Sequence, residues 1–227
     1  MIDSVRYPGG KGKCFQRLIN LMPPHAIYIE SHLGGGAVLR NKRPAQSNYG
    51  IDIDPEVIRR WTRRYPSICT LINDDACAFL QHFPFSGTEL VYSDPPYVSS
   101  LRRKARVYRY DYELDQHERL LEILKGVKCN VMISGYEGTL YAQALHGWHR
   151  VSFSVQSHGG PRTECVWTNF DPPPQLHDGS FLGATFRERQ TVRRRQSRWL
   201  ERFDRMAPPE RQHLLGLLNH RFAGDTK

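Results

Sequence analysis

The chain has 227 residues, 39% of them hydrophobic, and a formal net charge of +9, with a pI near 9.5. That is enough for one globular domain with a sizeable core, and it excludes a disordered chain. No stretch approaches the ~18 apolar residues of a membrane span, and the basic balance points to a polyanionic partner.

Five cysteines, at 14, 69, 77, 129 and 165, form no CxxC pair and no zinc-spaced array, so no metal is expected. Their scatter fits a reducing cytosol, and Met1-Ile2-Asp3-Ser4 opens no apolar signal segment. A cytoplasmic protein is expected.

In chain order, the first feature is Arg6-Tyr7-Pro8-Gly9-Gly10-Lys11-Gly12-Lys13, a glycine loop with lysines whose backbone can approach a ligand closely. A helix-like stretch from Cys14 to Met22 stops at Pro23-Pro24. Ala26 to Glu30 reads as a strand. It leads through Ser31-His32-Leu33-Gly34-Gly35-Gly36 into a helix opening at Ala37 to Arg40. Strand, glycine loop and helix are the first unit of a nucleotide-binding α/β sheet. Tyr49 to Asp54 forms a second strand ending in acids. Asp52 is placed to bond ribose hydroxyls, while Asp54 before Pro55 is placed to cap the next helix. Cys69 to Ile72 is a third strand, followed by Asn73-Asp74-Asp75 and a short helix. Asp74 is taken as the cap, and Asp75 as a cap or as a partner for a bound adenine's amine.

The fourth strand, Glu89-Leu90-Val91-Tyr92, stops at Ser93-Asp94-Pro95-Pro96-Tyr97. Two prolines fix this backbone in an extended pose without N–H groups. A carboxylate, a row of carbonyls and an aromatic face suit a flat ligand bearing an NH₂ group, such as adenine. Acceptors on both N–H bonds would draw that nitrogen towards sp³ and free its lone pair. Residues 98–112 then interleave Arg102, Arg103, Lys104, Arg106 and Arg109 with Tyr108, Tyr110 and Tyr112, a composition suited to phosphate contact and base stacking. A helix with Leu120, Leu121 and Leu124 follows. Strands are expected at Cys129 to Ser134, Val151 to Val155 and Cys165 to Phe170, with a polar loop at 157–162 carrying His158 and Arg162.

These motifs, in this order, resemble the Dam-type (D12 class) DNA adenine-N6 methyltransferases over residues 5–171. Tyr7 to Lys11 resembles the family's aromatic-x-Gly-Gly-Lys element, and Glu30 to Gly36 in part its Glu-Pro-Phe-x-Gly-x-Gly. Asp52-Ile53-Asp54 resembles the acidic element, and Asp94-Pro95-Pro96-Tyr97 is identical to the catalytic one. Asp115 to Leu121 and Thr163 to Phe170 resemble the later helix and the closing strand. Two departures stand out. Ser31-His32 replaces Pro-Phe, and only a short connection precedes the strand at Leu90, where the family places its target-recognition domain.

The resemblance implies a Rossmann-like S-adenosylmethionine-dependent methyltransferase fold with a seven-stranded mixed sheet over residues 1–174. It implies S-adenosylmethionine held by Tyr7, Lys11, Glu30, Gly34, Gly36, Asp52 and Asp94. The expected reaction is methyl transfer to N6 of adenine in double-stranded DNA, with Asp94, Pro95, Pro96 and Tyr97 as the catalytic element. Cytosine N4, adenine in RNA, and an inactive nucleic-acid-binding module on the same fold are the alternatives.

Residues 175–227 carry 11 Lys/Arg against 6 Asp/Glu and form a basic helical extension. A helix over 187–206 puts Val192, Trp199, Leu200, Phe203 and Met206 on one stripe and most arginines off it. Pro208-Pro209 is expected to break it, with a second helix starting near Leu214. A basic face of this kind suits a duplex.

Overall fold

The computed structural model describes residues 10–98, 109–157 and 160–223, apart from the side chains of residues 156, 157, 161 and 162. Seven strands form one sheet: β1 (Ile27–Glu30), β2 (Ser47–Asp52), β3 (Thr70–Asn73), β4 (Glu89–Ser93), β5 (Asn130–Gly135), β6 (His149–Ser157) and β7 (Gly160–Thr168). Their order is β3-β2-β1-β4-β5-β7-β6. β7 alone is reversed, pairing antiparallel with both β5 and β6. The expected Rossmann-like seven-stranded mixed sheet is therefore the fold.

Among the described residues seven helices accompany the sheet: α1 (Phe15–Ile19), α2 (Pro55–Arg64), α3 (Ala76–His82), α4 (Leu114–Gly126), α5 (Thr139–Ala144), α6 (Phe186–Arg205) and α7 (Pro208–Phe222). Parallel strands need long crossovers, which are helical here except between β1 and β2, and the helices bury both faces of the sheet. Alternate side chains divide accordingly. Ile29, Val91, Val131 and Ile133 share one core with Leu80, Leu120, Leu121 and Leu124. Tyr28, Leu90, Tyr92 and Met132 share the other with Leu18, Ile19, Val57 and Trp61. β4 is buried along its whole length, which explains its unbroken apolar run.

Several expectations change. Residues 37–40 form turns, not a helix. Two i→i−4 bonds form, from the Arg40 N–H to the Gly36 carbonyl and from the Lys42 N–H to that of Val38. The Asn41 N–H turns to Val38 while its Nδ2 donates to the Ala37 carbonyl at 2.7 Å, so the ladder is interrupted there. The Glu30 carboxyl accepts the Leu39 N–H at 3.0 Å. β2 ends at Asp52, not Asp54. Asp54 caps α2 as expected, accepting the Glu56 N–H at 2.9 Å. At α3 the cap is Asp75, which accepts the Ala78 N–H at 2.9 Å; Asp74 lies one residue too early and takes the Asp75 N–H instead. β7 starts at Gly160, because the β6–β7 hairpin pairs as far as Ser157 with Gly160. Pro208 and Pro209 open α7 at its first turn, where their missing N–H groups cost nothing.

The connection after β7 is docked on the domain. The His177 ring stacks on His25 at 3.7 Å, Asp178 accepts the Arg43 N–H at 2.8 Å, and Phe181 packs edge-on against Phe15. Beyond it, α6 and α7 have no buried residues.

Candidate active site

The strand order reverses between β1 and β4, and ligands of open α/β sheets bind outside the carboxyl ends of the strands at such a point. A cleft of about 780 Å³, open mouth included, lies there. Its walls are Glu30 to Ala37 after β1, Asp52 to Asp54 after β2, Asp94 and Pro96 after β4, Gly10 and Lys11, and Arg109, Tyr110 and Tyr112 on the far side.

The floor is built by glycines. Gly34 and Gly36 have φ of 44° and 53°. A Cβ on Gly36 would lie 2.0 Å from the Trp61 ring, so only glycine lets this loop close on α2. Asp52 holds the loop from the next strand. One carboxylate oxygen accepts the Gly34 N–H at 2.8 Å and the other the Asp54 N–H at 2.9 Å. Glu30, 3% exposed, accepts from the Tyr28 hydroxyl at 2.9 Å and from Leu39. Burial pushes its pKa up to about 8, with the nearby Asp94 charge acting in the same direction.

His32 follows β1 at the start of the glycine loop. Its Nδ1 lies 3.1 Å from the Ser31 hydroxyl and 3.2 Å from that of Ser93, and its Nε2 lies 3.0 Å from the Tyr112 hydroxyl. Burial keeps it neutral, with a pKa pushed down to about 3. The ring thus ties the glycine loop to the far wall, and Arg109 meets Asp54 at 3.5 Å beside it.

At the end of β4, four side chains converge. Lys11 Nζ donates to Asp94 Oδ1 at 2.6 Å and to the Tyr97 hydroxyl at 2.6 Å. Tyr97 donates to Glu164, and Glu164 lies 3.3 Å from Lys11. Burial raises the Asp94 pKa to about 6 against the pull of the Lys11 ammonium. Burial alone would lower the Lys11 pKa, but Asp94 and Glu164 together carry it above the usual lysine value. The Tyr97 ring meets the Tyr136 ring at 4.3 Å in an edge-to-face pose.

The expected residues Lys11, Glu30, Gly34, Gly36, Asp52, Asp94 and Pro96 all line the cleft, while Pro95 and Tyr97 flank it. Lys11, expected at the cofactor, lines the cleft and also binds the catalytic element. Asp75 does not line the cleft, since the cap directs its carboxylate to α3. Tyr7, Arg102, Arg103, Lys104, Arg106 and Tyr108 lie outside the described residues, as does the side chain of Arg162. Glu164 was not among the expected site residues. A carboxylate directly before the apolar run from Cys165 to Trp167 was the available signal, since such groups are rarely buried unless paired. Among the described residues no group of three His, Cys, Asp or Glu could hold a metal ion, and no helix is long and apolar enough to cross a membrane.

No family model matches the chain, and no curated protein does. Solved structures do. TrmK of M. capricolum, in complex with S-adenosyl-homocysteine, is similar at 10% identity and a TM-score of 0.45, covering 94% of this chain and 97% of that one. Precorrin-6y C5,15-methyltransferase of Geobacter metallireducens is similar at 10% identity and a TM-score of 0.47, covering 68% and 86%. An rRNA methylase from Streptococcus thermophilus is similar at 13% identity and a TM-score of 0.42, covering 69% and 95%. The strand order, not these likenesses, carries the assignment of the fold.

Proposed function

We propose that this chain is an S-adenosylmethionine-dependent methyltransferase that modifies N6 of adenine in double-stranded DNA. One observation carries the reading: Asp94-Pro95-Pro96-Tyr97 ends the central strand β4 at the switch point, facing a glycine-floored cleft with Asp52 across it. The cleft fits the cofactor. Gly34 and Gly36 clear its floor of side chains, Asp52 offers a carboxylate to hydroxyl groups, and Glu30 offers a carboxyl group beside it. Bound there, S-adenosylmethionine supplies a methyl group on a positively charged sulfur.

The chain's own residues do the rest. Asp94 and the Pro95 carbonyl accept hydrogen bonds from the target amine, and Tyr97 stacks on the base. With the cofactor held there, the amine lone pair would take the methyl group as the C–S bond gave its electron pair back to sulfur, and the surplus amine proton would leave to water. Rate comes mainly from orientation of amine and methyl. The target nitrogen is unreachable inside a duplex, so the base is flipped out. The partner reading rests on charge. α6 carries Arg187, Arg194, Arg195, Arg198, Arg202 and Arg205, all exposed, on one side of a helix that contributes nothing to the core.

The test is sequencing that reports modified bases, on DNA from cells expressing the protein or its Asp94→Ala variant. N6-methyladenine in a fixed sequence context, absent with the variant, is expected. Unmodified DNA alongside methylated RNA would transfer the reading to RNA, and N4-methylcytosine would transfer it to cytosine.

A further inference from the structure

We infer that Glu164 is a positioning residue that sets the charge of the target-amine pocket, an inference that rests on the methyl-transfer reading. The Lys11 ammonium stands between two carboxylates, 2.6 Å from Asp94 and 3.3 Å from Glu164. The side chains of Lys11 and Glu164 are 7% and 5% exposed, so water screens these charges little.

Formal charge decides what the cluster can do. Lys11 and Asp94 alone would cancel, leaving a neutral pocket whose acceptor is already taken by an ammonium. Glu164 adds a second negative charge, so the cluster carries one net negative charge. It also gives Lys11 a second partner. An amine docking on Asp94 then needs only to displace Lys11 towards a carboxylate it already touches. During transfer, positive charge passes from the sulfonium to the amine nitrogen. A pre-arranged net negative pocket favours that movement, and a neutral one does not.

The topology explains how a residue far along the chain arrives here. β7 runs antiparallel beside β5, with Cys165 opposite Gly135. The reversed strand therefore brings Glu164 to the same edge at which β4 and β5 end. There Glu164 also takes the Tyr97 hydrogen bond and fixes the phenol of the catalytic element.

The direct test needs no turnover. Sinefungin carries an ammonium where the cofactor carries its methyl-sulfonium, whereas S-adenosylhomocysteine is neutral there. Calorimetry on the whole protein gives the ratio of their affinities. Glu164→Gln keeps the size and the hydrogen-bond acceptor but loses the charge, and should lower the sinefungin preference about tenfold. Glu164→Asp keeps the charge and should hold the preference within about threefold. In turnover, Glu164→Gln should lower kcat by about 10²-fold, raise the KM for S-adenosylmethionine, whose sulfonium carries the same charge as sinefungin's ammonium, by up to about tenfold, and change the KM for DNA by less than about threefold. If both ligands bind and the ratio does not move in Glu164→Gln, Glu164 is structural and the inference fails while the cofactor reading stands. Should the Gln variant not fold, a tenfold loss of preference in Glu164→Asp overturns the inference equally. If neither ligand binds the unaltered protein, the methyl-transfer reading fails and this inference with it.

Discussion

A carboxyl group buried against a tyrosine ring and a backbone N–H loses the hydration that lets it ionise at ordinary pH. Glu30 is in that position, its pKa raised from 4.5 to about 8 chiefly by burial. The folded state therefore holds a proton that the unfolded chain has already released, and stability falls as pH rises from about 4.5 through 8. Glu30→Gln keeps an acceptor for Tyr28 and Leu39 without that penalty. Urea unfolding without cofactor should find the unaltered protein losing roughly 2–4 kcal/mol relative to Glu30→Gln between pH 5 and pH 8; parallel pH profiles would mean that Glu30 is ionised in the fold. Asp52 poses a different question, because its two oxygens already hold Gly34 and Asp54. Each oxygen retains a lone pair for a ribose hydroxyl. Asp52→Asn should weaken cofactor binding by roughly 1.5–3 kcal/mol with the fold intact. An unchanged dissociation constant by calorimetry would leave Asp52 as a loop anchor only.

The element that most needs a partner is α6. Arg187, Arg194, Arg198 and Arg205 recur at intervals of 7, 4 and 7 residues, which places them in one line about 27 Å long on a helix, with Arg195 and Arg202 beside it. None is buried, so replacing them should leave the melting temperature unchanged. If they meet phosphates, the triple variant Arg194→Gln, Arg198→Gln, Arg205→Gln should weaken binding to all duplexes alike. Its salt slope should flatten by up to about 0.9 for each phosphate that is no longer neutralised. A change in the methylated sequence context, with the salt slope unaltered, would show that α6 reads bases. Elements were legible in the sequence where local chemistry decides them. Asp54-Pro55 marked the start of α2, and the apolar run before Asp94 marked a buried strand. Misreadings arose where a distant or neighbouring group intervened. At Ala37 the Asn41 side-chain amide took the carbonyl that the Asn41 N–H would bond, and the expected helix stopped at turns. Two adjacent aspartates at α3 exchanged the role of cap, because one residue of register separates them. α5, six residues long, left too short a pattern to be expected.

At the scale of the whole molecule, the sequence placed the ends of β1, β2 and β4 around one crevice, since successive parallel strands leave their carboxyl ends on one edge. It did not place Glu164, because that depends on one strand running backwards and on a hydrogen bond spanning 67 residues. Nor did it show that Lys11 crosses the cleft to the catalytic element, 83 residues away. Both facts follow from long-range topology and bear on the same four side chains. The central claim is that Asp94 directs methyl transfer to an adenine amine. The most direct measurement incubates the purified protein with methyl-labelled S-adenosylmethionine and duplex DNA, digests the product to nucleosides, and identifies the labelled one by mass spectrometry. The expected result is label in N6-methyldeoxyadenosine, reduced ~10²-fold or more in Asp94→Ala while S-adenosylhomocysteine still binds. Label in another nucleoside, or undiminished label with Asp94→Ala, would contradict it.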